Sequence, residues 1–159
     1  MSEGKYFKFA IVIDVEPKIV WEALTNPLFT KIYMFGCEVV SSWKLWEPVE
    51  WKGAEDGIIY VKGILLDYVK EKKLAYTVFD PNAGYKDIPE NYLTTSYELE
   101  ATADNKTILS VSQGDFSKVE NGEKRYKDSV GWKMVLKGLK QMLETKVDEK
   151  DLKENLDKD

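Results

Sequence analysis

The chain contains no histidine and a single cysteine, Cys37, among its 159 residues. Without an imidazole there is no ready base for a serine or cysteine nucleophile, most zinc sites are removed, and no side chain shuttles protons easily near neutrality. Cys37 falls on a predicted strand and reads as a packed thiol rather than a nucleophile; alone, it forms no disulfide within the chain. Ser41 and Lys44 have Ser-x-x-Lys spacing, but that chemistry needs both residues on one helical face and this stretch reads as extended. Asn105-Lys106-Thr107 matches a glycosylation acceptor and reads as a turn. Glu98 and Glu100 fall on the solvent phase of a strand. Asp67 and Asp115 stand near strand ends. A carboxyl of raised pKa there would serve as an acid or base at a cavity mouth, and a turn or rim carboxylate is the simpler reading. No glycine-rich phosphate cradle or calcium-loop spacing occurs, so no metal and no cofactor is expected.

The rings offer more. Five Trp, nine Tyr and six Phe make 13% of the chain aromatic, enough to wall a cavity as well as fill a core. Trp43, Trp51, Tyr60, Tyr76, Tyr97, Phe116 and Trp132 fall on elements able to surround such a cavity. Tyr76, Tyr97 and Trp132 share phase with the apolar positions Leu74, Val78, Leu99 and Leu136. Gln113 shares phase with Leu109 and Val111, and an inward amide must find partners or lose its hydration uncompensated. These residues, with Leu136, are the candidate ligand contacts.

The elements that would position them follow from spacing. Tyr6 to Val15 reads as a strand. Pro17 suits the first turn of a helix that ends near Thr25, because the residue before Pro27 avoids the helical region. Asn26 is placed to cap a second short helix from Pro27 to about Tyr33. Gly36 to Gln113 then reads as a meander of strands, broken by a loop from Asp80 to Asn91 and a hairpin turn at Asp104-Asn105; Leu74 to Phe79 and the two strands of that hairpin alternate with period two. Gly114 to Asp128 reads as a loop. Trp132, Leu136, Leu139 and Leu143 recur at helical spacing, which predicts a long amphipathic helix starting between Lys124 and Gly131 and ending near Thr145. Gly138 within it implies a close approach or open space nearby. The fold class is α+β, with about six strands in a curved antiparallel sheet around the last helix. Residues 1–147 form one domain, and 148–159 a charged, frayed or disordered tail.

Charge and hydropathy exclude whole classes. With 23 basic and 28 acidic residues the net charge is −5. The lysine clusters are each interrupted by an acid, so no nucleic acid is expected as a partner. The longest apolar run, Phe9 to Ile13, is far short of the ~20 residues that cross a bilayer, so no membrane insertion is expected. The opening residues carry no secretory h-region, which points to a cytoplasmic protein.

Five segments, taken in order, resemble a known family. "VEPKIVWEALTNP" (Val15 to Pro27) is similar to the opening of the SRPBCC, or START-like, superfamily, in particular its branch named after the activator of the heat-shock-protein-90 ATPase. "YVKGILLDYVKEKKLAYTVF" (Tyr60 to Phe79), "TTSYELE" (Thr94 to Glu100), "TILSVSQGDF" (Thr107 to Phe116) and "GWKMVLKGLKQMLE" (Gly131 to Glu144) follow in the order of that branch. The resemblance implies a helix-grip fold with a hydrophobic cavity between the sheet and the last helix. The superfamily includes lipid carriers, plant hormone receptors, polyketide cyclases and stress proteins, and eukaryotic members of the branch are co-chaperones. Three expectations follow. The first is a hydrophobic or aromatic small molecule held in the cavity without clear catalytic machinery. The second is a chaperone partner met through the surface, and the third a cyclase-like or hydrolase-like enzyme. A monomer or weak dimer is expected throughout.

Overall fold

The computed structural model describes residues 4–145; the tail expected at 148–159 lies outside the described residues. Strand β1 (Phe7–Ile13) is followed by helices α1 (Pro17–Thr25) and α2 (Pro27–Tyr33). Six strands come next: β2 (Cys37–Ser41), β3 (Pro48–Gly53), β4 (Ile59–Val69), β5 (Lys73–Val78), β6 (Leu93–Ala101) and β7 (Thr107–Gly114). Helices α3 (Gly122–Asp128) and α4 (Trp132–Glu144) complete the described chain. The seven strands form one antiparallel sheet in the order β1-β7-β6-β5-β4-β3-β2. Strands β2 to β7 are thus a meander, and β1 returns to close on β7. The architecture is the α+β helix grip read from the sequence.

Local chemistry sets the element boundaries. Pro17 and Pro27 occupy first-turn positions of their helices, and the Asn26 side-chain carbonyl accepts the Leu28 N–H at 3.0 Å, capping α2. Asn105 closes the β6–β7 hairpin turn in the left-handed region, at φ 60°, a conformation asparagine tolerates better than most residues. The registers shift between Trp51 and Lys52 and between Leu65 and Asp67. Such bulges raise local twist and bend the sheet.

Helix α4 buries Val135, Leu136, Leu139 and Leu143 and turns Lys133 and Lys137 to solvent. Its end is tied to β1: Lys140 Nζ donates to the Val12 carbonyl and to Glu144 Oε2, each at 2.6 Å. The same Glu144 oxygen accepts the Asp14 N–H at 2.7 Å. The segment read as a loop carries more structure than expected. It holds a 3-10 turn at Phe116–Lys118, then α3, then a second 3-10 turn at Ser129–Gly131 that leads into α4. The last helix therefore opens at Trp132, just past the expected window. Helix α3 buries none of its residues, so it has no apolar stripe for periodicity to reveal.

Candidate functional site

The core is built from two apolar clusters. The larger joins α1, α2, α4 and the sheet through residues such as Trp21, Phe29, Leu65, Tyr97, Leu109 and Leu139. The smaller gathers Phe7, Leu93 and Phe116. A cavity of about 860 Å³ draws its wall from both. Trp51, Tyr76, Leu93, Phe116 and Val135 supply buried apolar surface, while Phe35, Tyr60, Lys124 and Asp128 are exposed at its rim.

Alternation along β5, β6 and β7 explains much of the wall. Leu74, Tyr76 and Val78 on β5 point inward with Leu93, Thr95 and Tyr97 on β6 and Leu109, Val111 and Gln113 on β7. Gln113 finds the partners its position demands. Its Nε2 donates to Thr95 Oγ1 at 2.9 Å, and its Oε1 accepts the Trp132 indole N–H at 3.2 Å. The amide therefore links β6, β7 and the start of α4. The Tyr76 and Tyr97 hydroxyls lie 3.3 Å apart, and the Tyr97 ring meets Trp132 edge-on, with centroids 6.1 Å apart. Burial pushes the Tyr76 phenol from its ordinary value of 10.0 up to about 12, with hydrogen bonding from Tyr97 and Trp51 acting the other way. Burial also raises Tyr33 and Tyr97 well above the ordinary tyrosine value. All three hydroxyls stay neutral at physiological pH.

The nine candidate residues divide into two groups. Trp51, Tyr60, Tyr76, Gln113, Phe116 and Trp132 lie on the cavity wall. Trp43, Tyr97 and Leu136 do not. Trp43, in the left-handed region at φ 57°, packs 5.9 Å from Tyr68, which meets Trp21 edge-on at 5.2 Å. Tyr97 sits behind Tyr76, and Leu136 belongs to the closed core. Period identifies the inward face of an element but not how far along it the packed core gives way to space.

Several wall residues carried no sequence signal of their own: Met34 and Phe35 between α2 and β2, and Tyr85, Lys124 and Arg125. Arg125 had one available clue, since it is the only arginine in the chain. Cys37 also reaches the wall, and burial pushes its thiol up, which keeps it a poor nucleophile.

The carboxylates singled out earlier do other work. Asp115 accepts from the Lys5 N–H at 2.7 Å and the Ser117 N–H at 2.9 Å. Hydrogen bonding from Ser117 is the largest influence on it and holds it below the usual aspartate value, the opposite of what a general acid needs. Asp67 pairs with Lys73 at 3.5 Å. The Ser41 hydroxyl accepts the Trp43 N–H at 3.0 Å in a turn. Among the described residues no helix is long and apolar enough to cross a membrane.

Residues 14–144 match the family profile described as activator of Hsp90 ATPase homolog 1-like protein. The chain belongs to this family. A protein from Cytophaga hutchinsonii solved in solution is 37% identical, with a TM-score of 0.72, over 92% of this chain and 99% of that one. The fold is shared with two further solved structures at lower identity. The Aha1 dimer from Colwellia psychrerythraea is 17% identical (TM-score 0.67; 88% of this chain, 96% of that one). An Hsp90 activator from Plasmodium falciparum is 16% identical (TM-score 0.66; 88% and 96%). No curated protein matches the sequence.

Proposed function

We propose that this protein holds a hydrophobic or aromatic small molecule in its internal cavity. The observation that carries this reading is the cavity itself: about 860 Å³ bounded by Trp51, Tyr76, Phe116 and Trp132. That volume is within the range of small-molecule sites, and large apolar walls with few oriented polar groups are their usual composition. The polar side chains of the inner wall bond one another, so they shape the space rather than offer a free acid or base. Binding without chemistry on the ligand is the role that follows. Native mass spectrometry of freshly purified protein is expected to retain a small molecule or to show uptake from an apolar aromatic library. Binding should quench or shift tryptophan fluorescence and raise the melting temperature, because a ligand that binds only the folded state stabilises it by mass action. A library that moves neither fluorescence nor melting temperature overturns the reading.

A second reading, docking on a chaperone through the outer surface, is favoured by family membership and by exposed apolar side chains. Trp46 is 68% exposed and Met134 78% exposed. Co-elution with a purified Hsp90-class ATPase, or a change in its ATPase rate, tests that reading directly.

A further inference from the structure

The polar groups of the cavity wall are almost all committed to partners. Gln113 is used on both sides, by Trp132 and Thr95. Tyr76 is shared with Tyr97, and Ser129 donates to the Tyr126 carbonyl. At the rim Lys124 pairs with Asp128 at 3.6 Å, and Asp80 accepts the Asn82 N–H at 2.8 Å. Of the two wall cations, Lys124 and Arg125, Arg125 is the one whose close partners are all uncharged. Its guanidinium donates to the Asn91 carbonyl at 3.2 Å and the Glu120 carbonyl at 3.4 Å. It also lies over the Tyr85 ring, 4.8 Å from the centroid. Carbonyls and a ring face accept hydrogen bonds and attract a cation, but neither brings a full negative charge. Among the described residues no carboxylate stands within ion-pair distance of it.

The position is costly for a lone cation. Arg125 is half-buried, and desolvation is the largest influence on its pKa, pulling it down against the opposing pull of Tyr85, Asp80 and Glu120. A guanidinium nevertheless stays charged and presents five N–H donors in a planar fork. Every other basic residue of the 23 is a lysine. The two side chains differ in what they recognise: lysine offers a point charge, and arginine a fork that matches a carboxylate bidentately.

We propose that the cavity ligand is an organic acid, its apolar body against Trp51, Tyr76 and Trp132 and its carboxylate received by Arg125. This assignment rests on the reading of the cavity as a ligand site and adds the chemical class. It predicts a preference that size and hydrophobicity alone do not produce. The test titrates the full chain at neutral pH and low salt with two matched pairs, laurate and methyl laurate, and naphthylacetic acid and its methyl ester. Tryptophan fluorescence and calorimetry supply the readouts. At least one acid is expected to bind about tenfold more tightly than its ester, the scale of a charge-assisted hydrogen bond. The advantage should shrink as salt is raised. It should vanish in Arg125→Gln, persist in part in Arg125→Lys, and grow in Asp80→Asn, which removes an exposed negative charge near the guanidinium. In each variant the ester's affinity is the reference against which the acid preference is read. Should Arg125→Gln fail to fold, the wild-type pairs and Asp80→Asn still decide. Equal binding of acid and ester, or an acid preference surviving in folded Arg125→Gln, overturns the organic-acid assignment and leaves the cavity reading standing. Failure of all four compounds to bind overturns both.

Discussion

Trp132 joins three structures at once: its indole N–H bonds Gln113, its ring edge meets Tyr97, and one surface lies on the cavity wall. Replacing it with alanine should cost about 3–5 kcal/mol of stability. Trp132→Phe keeps a ring but strands the Gln113 carbonyl, so it should cost about 1–3 kcal/mol. Adding Gln113→Leu removes the stranded acceptor, and the double variant should lose less than the two single losses combined. Urea unfolding of the four proteins measures the coupling, and strict additivity would show that the bond contributes nothing. A second residue-scale expectation concerns the buried phenols. The unfolded chain releases the Tyr76 proton near 10.0, whereas the folded protein holds it to about 12. Rising pH between those values therefore favours unfolding, by up to about 1.4 kcal/mol per pH unit for this one group. Tyr33 and Tyr97 act in the same direction. Stability should decline through that window, and Tyr76→Phe should make the decline shallower; an unchanged slope would contradict the assignment. At this scale the sequence was informative about Gln113, whose inward phase demanded partners that the structure supplies. It was silent about Arg125, because local spacing does not report that α3 will set a cation over a ring some forty residues earlier in the chain.

At the scale of elements, α4 is the most legible part of the molecule, since its four buried apolar residues recur at the helical period. Its interior glycine is the feature that remained open. A Cβ built at Gly138 meets nothing within 4 Å beyond its own helix. The residue therefore keeps no neighbour close, and Gly138→Ala should stabilise the protein by up to about 1 kcal/mol through helix propensity. A thermal melt that drops instead would reveal a role for the space. Gly63 is the contrasting case: a Cβ there would lie 1.7 Å from the Thr77 carbonyl oxygen. Gly63→Ala must push β4 from β5 and should cost more than 1 kcal/mol in the same assay. Neither distinction is readable in the sequence, because each depends on what the fold brings, or does not bring, against the glycine. The same limit hid α3, a helix with no fully buried residue, and placed Trp43, Tyr97 and Leu136 on a wall they do not reach. Apolar phase is a property of one element, whereas an empty volume is a property of several.

For the whole molecule, composition and the change of period after Gly114 were enough to give the fold class and the order of the strands and of the helices α1, α2 and α4. Pairing partners were legible only where neighbours in sequence are neighbours in space. The exception is β1, which pairs with β7 across about a hundred intervening residues, Phe7 opposite Gln113 and Ile13 opposite Thr107. The strands of the meander close short loops, while β1 must close a very long one, and distant closure carries the larger entropic cost. This topology implies an order of assembly. Hairpin β6–β7, where Leu99 faces Leu109, is expected to be formed at the folding barrier, and β1 and α4 to dock afterwards. Leu99→Ala should then mainly slow refolding, whereas Ile13→Val and Leu139→Ala should mainly speed unfolding. Chevron plots of the three variants separate these outcomes, and equal partitioning would place β1 in the nucleus. The strand that comes first in the chain would be the last to join the sheet, so a nascent chain must carry Phe7–Ile13 unpaired until β7 has been synthesised.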